Sequence, residues 1–335
     1  MKKMVSAILI AITLITSIQS NAEVLFDLPD NFSIAEGAIT KTNYVDLKEY
    51  FVTYRNLQDY YEPENFSTCS ILSTDKYSAD NNQMENYIGY VFSNGHRLIM
   101  PNAVTLIYGD ENREKYEQLI YYFENTSYPN ENMDLSFQKL DDAVAACIDK
   151  LDTLGINNLF VDKAISFSLD MIDEQTINML AYYKSDTIKY FHNATKGDEA
   201  YYISFRYYID GVQLIGEPQA EFVVTANGIC SIKLYRIFDN VYNESPISSC
   251  IPMTMALAHF VDGHHRQMSE LDLYTIKHVE CTYYPIYEQK NSLAVRYVPC
   301  WLILGTCKYH FGNRSKEVPV RGLYSVKDGT QYDEW

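Results

Sequence analysis

Asn-Gly and Asp-Gly dipeptides set between alternating apolar runs constrain this chain more than any other feature. Tyr87, Ile88, Tyr90, Val91 and Phe92 lead into Asn94-Gly95, and Leu98, Ile99 and Met100 follow. Asn-Gly populates the positive φ values that a type I′ turn demands, so this segment reads as a hairpin. Phe222 to Thr225, Asn227-Gly228 and Ile229 to Ile237 repeat the pattern. Tyr201, Ile203, Phe205, Tyr207 and Ile209 put an apolar set on one face of a further strand, and Asp210-Gly211 turns it. Strands are also expected over about Ala164 to Met171, Tyr274 to Tyr287, Leu293 to Leu304 and Val318 to Val326, with Asp328-Gly329 as the last turn.

Three segments carry helical spacing instead. Glu111 to Glu124 is dense in Glu, Lys, Leu and Tyr. Ser136 is placed to cap a second helix, with Asp141 and Asp142 near the positive end of its dipole. Phe137, Leu140, Val144, Cys147, Ile148, Leu151 and Leu154 form its stripe, and Gly155 stops it. Met253, Leu257, Phe260 and Val261 form a third stripe, which Asp262-Gly263 ends. A helix followed by antiparallel strands thus occurs twice, and laying each helix across its own sheet buries both stripes.

The amino terminus reads as an export signal. Lys2 and Lys3 precede an apolar run from Val5 to about Ile18, and Ser20-Asn21-Ala22 offers small residues for a cut before Glu23. The run is short for a spanning helix, and an uncleaved anchor is the only membrane attachment foreseen. Losing Lys2 and Lys3 takes the net charge from −17 to −19. That acidity argues against nucleic acid and against anionic membrane surfaces, which need a basic face. The 30 tyrosines against 2 tryptophans suit half-buried strands, where the ring lies on the sheet and the hydroxyl reaches water. The seven cysteines are odd in number, so at least one is free or pairs between chains. Cys147, on a helical stripe, reads as a small buried hydrophobe.

The element order, with its residues, resembles the PepSY-like and YycI-like modules of exported proteins of Firmicutes. The matching pieces are Leu135-Ser136-Phe137 opening a helix that ends Leu154-Gly155-Ile156, Tyr202 to Ile209 with Asp210-Gly211-Val212, and Phe222-Val223-Val224 with Asn227-Gly228-Ile229. Val279 to Pro285, Val298-Pro299-Cys300-Trp301 and Val326 with Asp328-Gly329 complete them, so the likeness runs from Leu135 to Trp335. It implies an α+β fold of tandem modules, each a helix packed on an antiparallel sheet as in cystatin-like domains. It also implies a binding or regulatory role, since these families carry no catalytic set to transfer.

No residue pattern argues for catalysis or a cofactor. His259, Asp262, His264 and His265, with His278 and Glu280 nearby, are the densest candidate for zinc. The spacing is not HExxH, and residues five apart on a helix sit about 140° apart round its axis. No GxSxG elbow or phosphate-binding glycine loop is present, and Cys230 has no histidine placed beside it. No catalytic, cofactor-binding or metal residue is therefore assigned.

The expectation is a non-catalytic exported protein that binds a peptide or protein at the cell envelope. Its alternatives are a protease-modulating domain and an envelope hydrolase. The expected divisions are a signal at 1–22, an amino-terminal α+β region at 23–134, and modules at 135–245 and 246–335. A fragment starting at Met133 is accordingly expected to fold alone.

Overall fold

The computed structural model describes residues 28–39, 47–77, 87–126, 132–183, 189–265, 272–287, 292–311 and 314–332. The export signal and the side chain of His265 lie outside the described residues. Of the described residues 48% are strand and 24% helix, so they are mostly β. The tandem of helix-on-sheet modules does not form. Among the described residues fifteen strands build two sheets instead, and strands from the first hundred residues enter both.

The larger sheet orders nine strands. β3 (Ile71–Tyr77), β4 (Tyr87–Phe92), β5 (Arg97–Asn102) and β6 (Thr105–Gly109) form a meander. β6 then pairs with β11 (Gly228–Tyr235), which continues through β10 (Ala220–Thr225) and β8 (Ala200–Ile209) to β7 (Leu159–Phe167). The short β9 (Val212–Gln213) folds back on β8. The smaller sheet runs β1 (Phe32–Ile34), β13 (Leu273–Ile286), β14 (Ala294–Phe311), β2 (Lys48–Tyr54), β12 (Phe238–Pro246), and β15 (Arg314–Ser325) also pairs β14. Among the described residues only β1 on β13 is a parallel strand pair. β12 crosses the expected division at 245.

Helices cover both faces of the nine-stranded sheet, which is why no single helix-plus-meander unit exists. α1 (Leu57–Tyr60) and α3 (Leu140–Thr153) lie on one face, with Tyr201, Ile203 and Phe205 beneath them. α2 (Arg113–Thr126) and α4 (Leu169–Tyr183) lie on the other, over Ala200 and Tyr202. β8 is therefore buried on both faces through Tyr207, and its alternating apolar set records only one of them. One face of the smaller sheet is shared. α5 (Met253–His265) covers Tyr274, Ile276 and Val279, while Tyr207, Val212 and Leu214 from the larger sheet cover Cys281 and Tyr283. The sheets are stitched where Ile215 N–H donates to the Tyr283 carbonyl at 3.0 Å and Thr282 Oγ1 donates to the Gln213 carbonyl at 2.8 Å. No helix among the described residues is long and apolar enough to cross a membrane.

Local expectations fare unevenly. Asp210 and Gly211 both take positive φ, at 52° and 76°, as a primed turn requires. At Asn94-Gly95 and Asn227-Gly228 only the glycine does, at 86° and 95°, so these turns are not type I′. α3 starts at Leu140, not after Ser136, because the Asp134 carboxylate accepts from the Leu140 N–H at 3.0 Å. α5 runs through Asp262-Gly263 to His265. The strand expected to reach Met171 ends at Phe167, and α4 follows unforeseen.

The α3 stripe is narrower than its sequence suggested. Ala143, Cys147 and Leu151 are buried, but Ile148 is 42% exposed. Leu151→Ala and, in α5, Leu257→Ala should each cost about 2–5 kcal/mol through lost transfer energy and an unfilled cavity. Ile148→Ala should cost less than about 1 kcal/mol. Urea titration of the three variants checks this ranking.

Candidate functional site

The candidate site is a cleft of about 590 Å³ at the junction of the two sheets. Each wall follows from its strand. On one side the loop after α3 brings Asn157 and Asn158, and β7 opens with Phe160. Tyr208 packs edge-on against Phe160, ring centroids 5.6 Å apart. On the other side Phe238, Asp239, Asn240 and Val241 come from β12, and Tyr50 from β2.

Bulges aim these walls. β12 carries extra residues at Asp239 and Tyr242, and β7 carries one at Asp162. A bulge bends its strand and re-aims the following side chains, and it also spoils the free edge for pairing with another chain. β3, the other edge of the large sheet, is bulged at Leu72. On β12 and β7 the result is side chains offered outward. Phe160 is 57% exposed and Val241 45%, an unusual cost for two apolar residues lining one cavity.

The deep side of the cleft is firm. Phe238 stacks on Tyr207 with centroids 4.0 Å apart and planes 7° from parallel. Tyr50 donates its hydroxyl to the Asp210 carboxylate, tying the smaller sheet to the β8–β9 turn. Burial first, and then Asp210, hold the Tyr50 phenol well above its ordinary range, so it does not ionise as a nucleophile would. At one end Arg55 stacks over Tyr60 at 4.0 Å and donates to the Tyr61 hydroxyl at 3.0 Å and the Gly155 carbonyl at 3.1 Å. Its charge is thereby committed to the carboxyl-terminal end of α3. Asn157, Asn158 and Asn240 make no side-chain hydrogen bond among the described residues. Aromatic faces and open amides, with the Asp239 carboxylate beside them, equip the cleft to hold a partly apolar ligand that is not an anion.

The histidines and cysteines weighed from sequence do not gather there. His264 Nδ1 lies 2.9 Å from the Phe260 carbonyl, His259 stacks on Tyr324, and His278 meets Glu280 at 3.2 Å on β13. Among the described residues no group of three or more His, Cys, Asp or Glu is placed to hold a metal ion. None of the seven cysteines is joined in a disulfide, and burial pushes Cys147, Cys230 and Cys281 up to about 12, far from thiolate character at neutral pH. A second cavity, of about 390 Å³, lies at the start of α2 among Arg97, Arg113, Lys115 and Lys189, with Asp110, Glu111 and Glu114 interspersed. Arg113 is already paired with Glu117 at 2.8 Å.

Sequence reasoning missed the cleft residues. The signal available was a break in alternation, since Phe160-Val161 and Val241-Tyr242 set two apolar residues side by side in strands.

No family model matches the chain, and no curated protein matches it in sequence. Its fold is similar to that of an uncharacterized protein from Eubacterium rectale, solved by crystallography, at a TM-score of 0.61 and 12% identity over 92% of each chain. At that identity the likeness speaks for the fold alone.

Proposed function

We propose that this chain is a non-catalytic binding protein, exported to the cell envelope, that holds an extended peptide segment of a partner in the cleft between its sheets. The carrying observation is the pair Phe160 and Val241, exposed apolar residues from different sheets that line one cavity. Exposed apolar side chains around a pocket are what a partner's side chain buries, and a few such anchors carry most of an interface's energy. The bulges on β3, β7 and β12 favour recognition by side chains over addition of a strand to a sheet edge. Export rests on the basic, apolar and small-residue order of the first twenty-two positions.

The test is selection from a random peptide library on the mature protein, with affinities then measured for Phe160→Ser and Val241→Asp. Each substitution should weaken binding about thirtyfold, the size of a 2 kcal/mol anchor. Both residues are exposed, so the melting temperature should hold. Unchanged affinity in both variants would remove the cleft from the reading.

A further inference from the structure

The cleft between the sheets carries an unbalanced negative charge. Asp239 lines it and is exposed, and its carboxylate makes no hydrogen bond or ion pair among the described residues. The bulge in β12 explains why. Asp239 is the extra residue between Phe238, opposite Tyr54, and Asn240, opposite Thr53, so no residue of β2 faces it. Glu244, where the ladder of the same strand is regular again, does find a cation, Lys48 on β2 at 2.6 Å.

Other cations of the flanking elements are committed elsewhere. Arg206 on β8 holds Asp162 at 3.1 Å. Arg55, after β2, is held by the Tyr61 hydroxyl, the Gly155 carbonyl and the Tyr60 ring. Arg236, before β12, lies over Tyr235 and Tyr287 at 4.6 and 4.9 Å. Asp210 adds a second carboxylate behind Tyr50, bonded to its hydroxyl and paired with no cation among the described residues.

The rest of the lining suits the stem of a basic side chain. Lysine and arginine lay their methylenes on apolar surface while the charged head reaches a polar partner, and the head also gains over an aromatic face. Phe160 and Tyr208 supply such surface in the same cleft. An acidic side chain would instead meet Asp239, with Arg55, the only cation of the lining among the described residues, already bonded. The net charge of −17 steers partners in the same sense.

On the premise that the cleft receives a peptide, we propose that the peptide is basic and is anchored by a lysine or arginine side chain, whose charge pairs with Asp239 and whose stem lies against Phe160 and Tyr208.

Peptides selected from a random library on the full mature chain should be enriched in lysine and arginine and poor in aspartate and glutamate. In the tightest of them, each basic residue in turn is replaced by an uncharged one of similar length, norleucine for lysine or citrulline for arginine. One such replacement should weaken binding about fivefold at low salt, the size of a partly exposed ion pair, and Asp239→Asn should cause the same loss. Combining the two should lose no more than either alone, and binding to Asp239→Asn should depend less on salt. Asp239 is exposed and makes no side-chain bond in the fold, so the melting temperature should hold. Binders free of basic residues would overturn the basic anchor. So would full affinity in Asp239→Asn while Phe160→Ser and Val241→Asp still weaken binding, and the cleft would then stand without it. Losses that add in the combination would place the basic residue away from Asp239 and overturn it too. Full affinity in Phe160→Ser and Val241→Asp would remove the cleft, and the anchor with it.

Discussion

A fragment running from Met133 to Trp335 is expected to be unfolded, against what two self-contained modules would do. Without residues before it, the smaller sheet loses β2 from between β14 and β12, together with Tyr50, Val52 and Tyr54 from the layer joining the sheets. The larger sheet loses β3 to β6, leaving β11 a bare edge from Gly228 to Tyr235. Leu57, Phe92, Leu98, Met100 and Leu106 leave the core under α3. Removing that much buried apolar surface outweighs the 5–15 kcal/mol or so by which domains are stable. Circular dichroism with urea titration reads the outcome. A cooperative transition in the fragment would show that each sheet is closed without its amino-terminal strands.

Arg206→Met should be the costliest single substitution away from the apolar core, destabilising by about 3–5 kcal/mol. Arg206 meets Asp162 at 3.1 Å, with both side chains 9% exposed. It also donates to the carbonyls of Leu214 at 3.1 Å and Gly216 at 2.6 Å, holding the segment that leads from β9 to β10. Removing the guanidinium strands a carboxylate that, among the described residues, only Gln213 Nε2 would still reach, at 3.1 Å. Asp162→Leu added to Arg206→Met should recover most of the loss, because the penalty lies in the unpaired charge. A double variant no more stable than the single one would place the cost in the two freed carbonyls.

The strands were legible because period-two alternation and turn glycines are local properties. Tyr201 to Ile209, Phe222 to Thr225 and Tyr274 to Tyr287 fall close to their expected places. Pairing was not legible, since nothing local says that Ile232 will lie opposite Tyr108 or that Val52 will lie opposite Val241. The tandem reading followed from joining each helix to the strands after it in sequence. The chain instead closes its sheets with strands from far upstream. α4 escaped notice because Gln175 and Thr176 interrupt its inward stripe while Ile177 and Leu180 face out, which blurs the helical period. The cleft was hidden for a related reason. Its apolar residues sit at bulges, where alternation fails, and its two walls are about eighty residues apart in the chain.

The central claim, that the cleft receives a peptide, is tested most directly by hydrogen exchange with and without the tightest library-selected peptide at saturation. Protection should rise at Asn157 to Phe160 and at Phe238 to Val241 together, because those segments form the two walls. The strands β3 and β15 should be unchanged. Protection confined to Ile71–Tyr77 or Arg314–Ser325, with both walls unaltered, would mean that the peptide adds to a sheet edge and that the cleft is not its site.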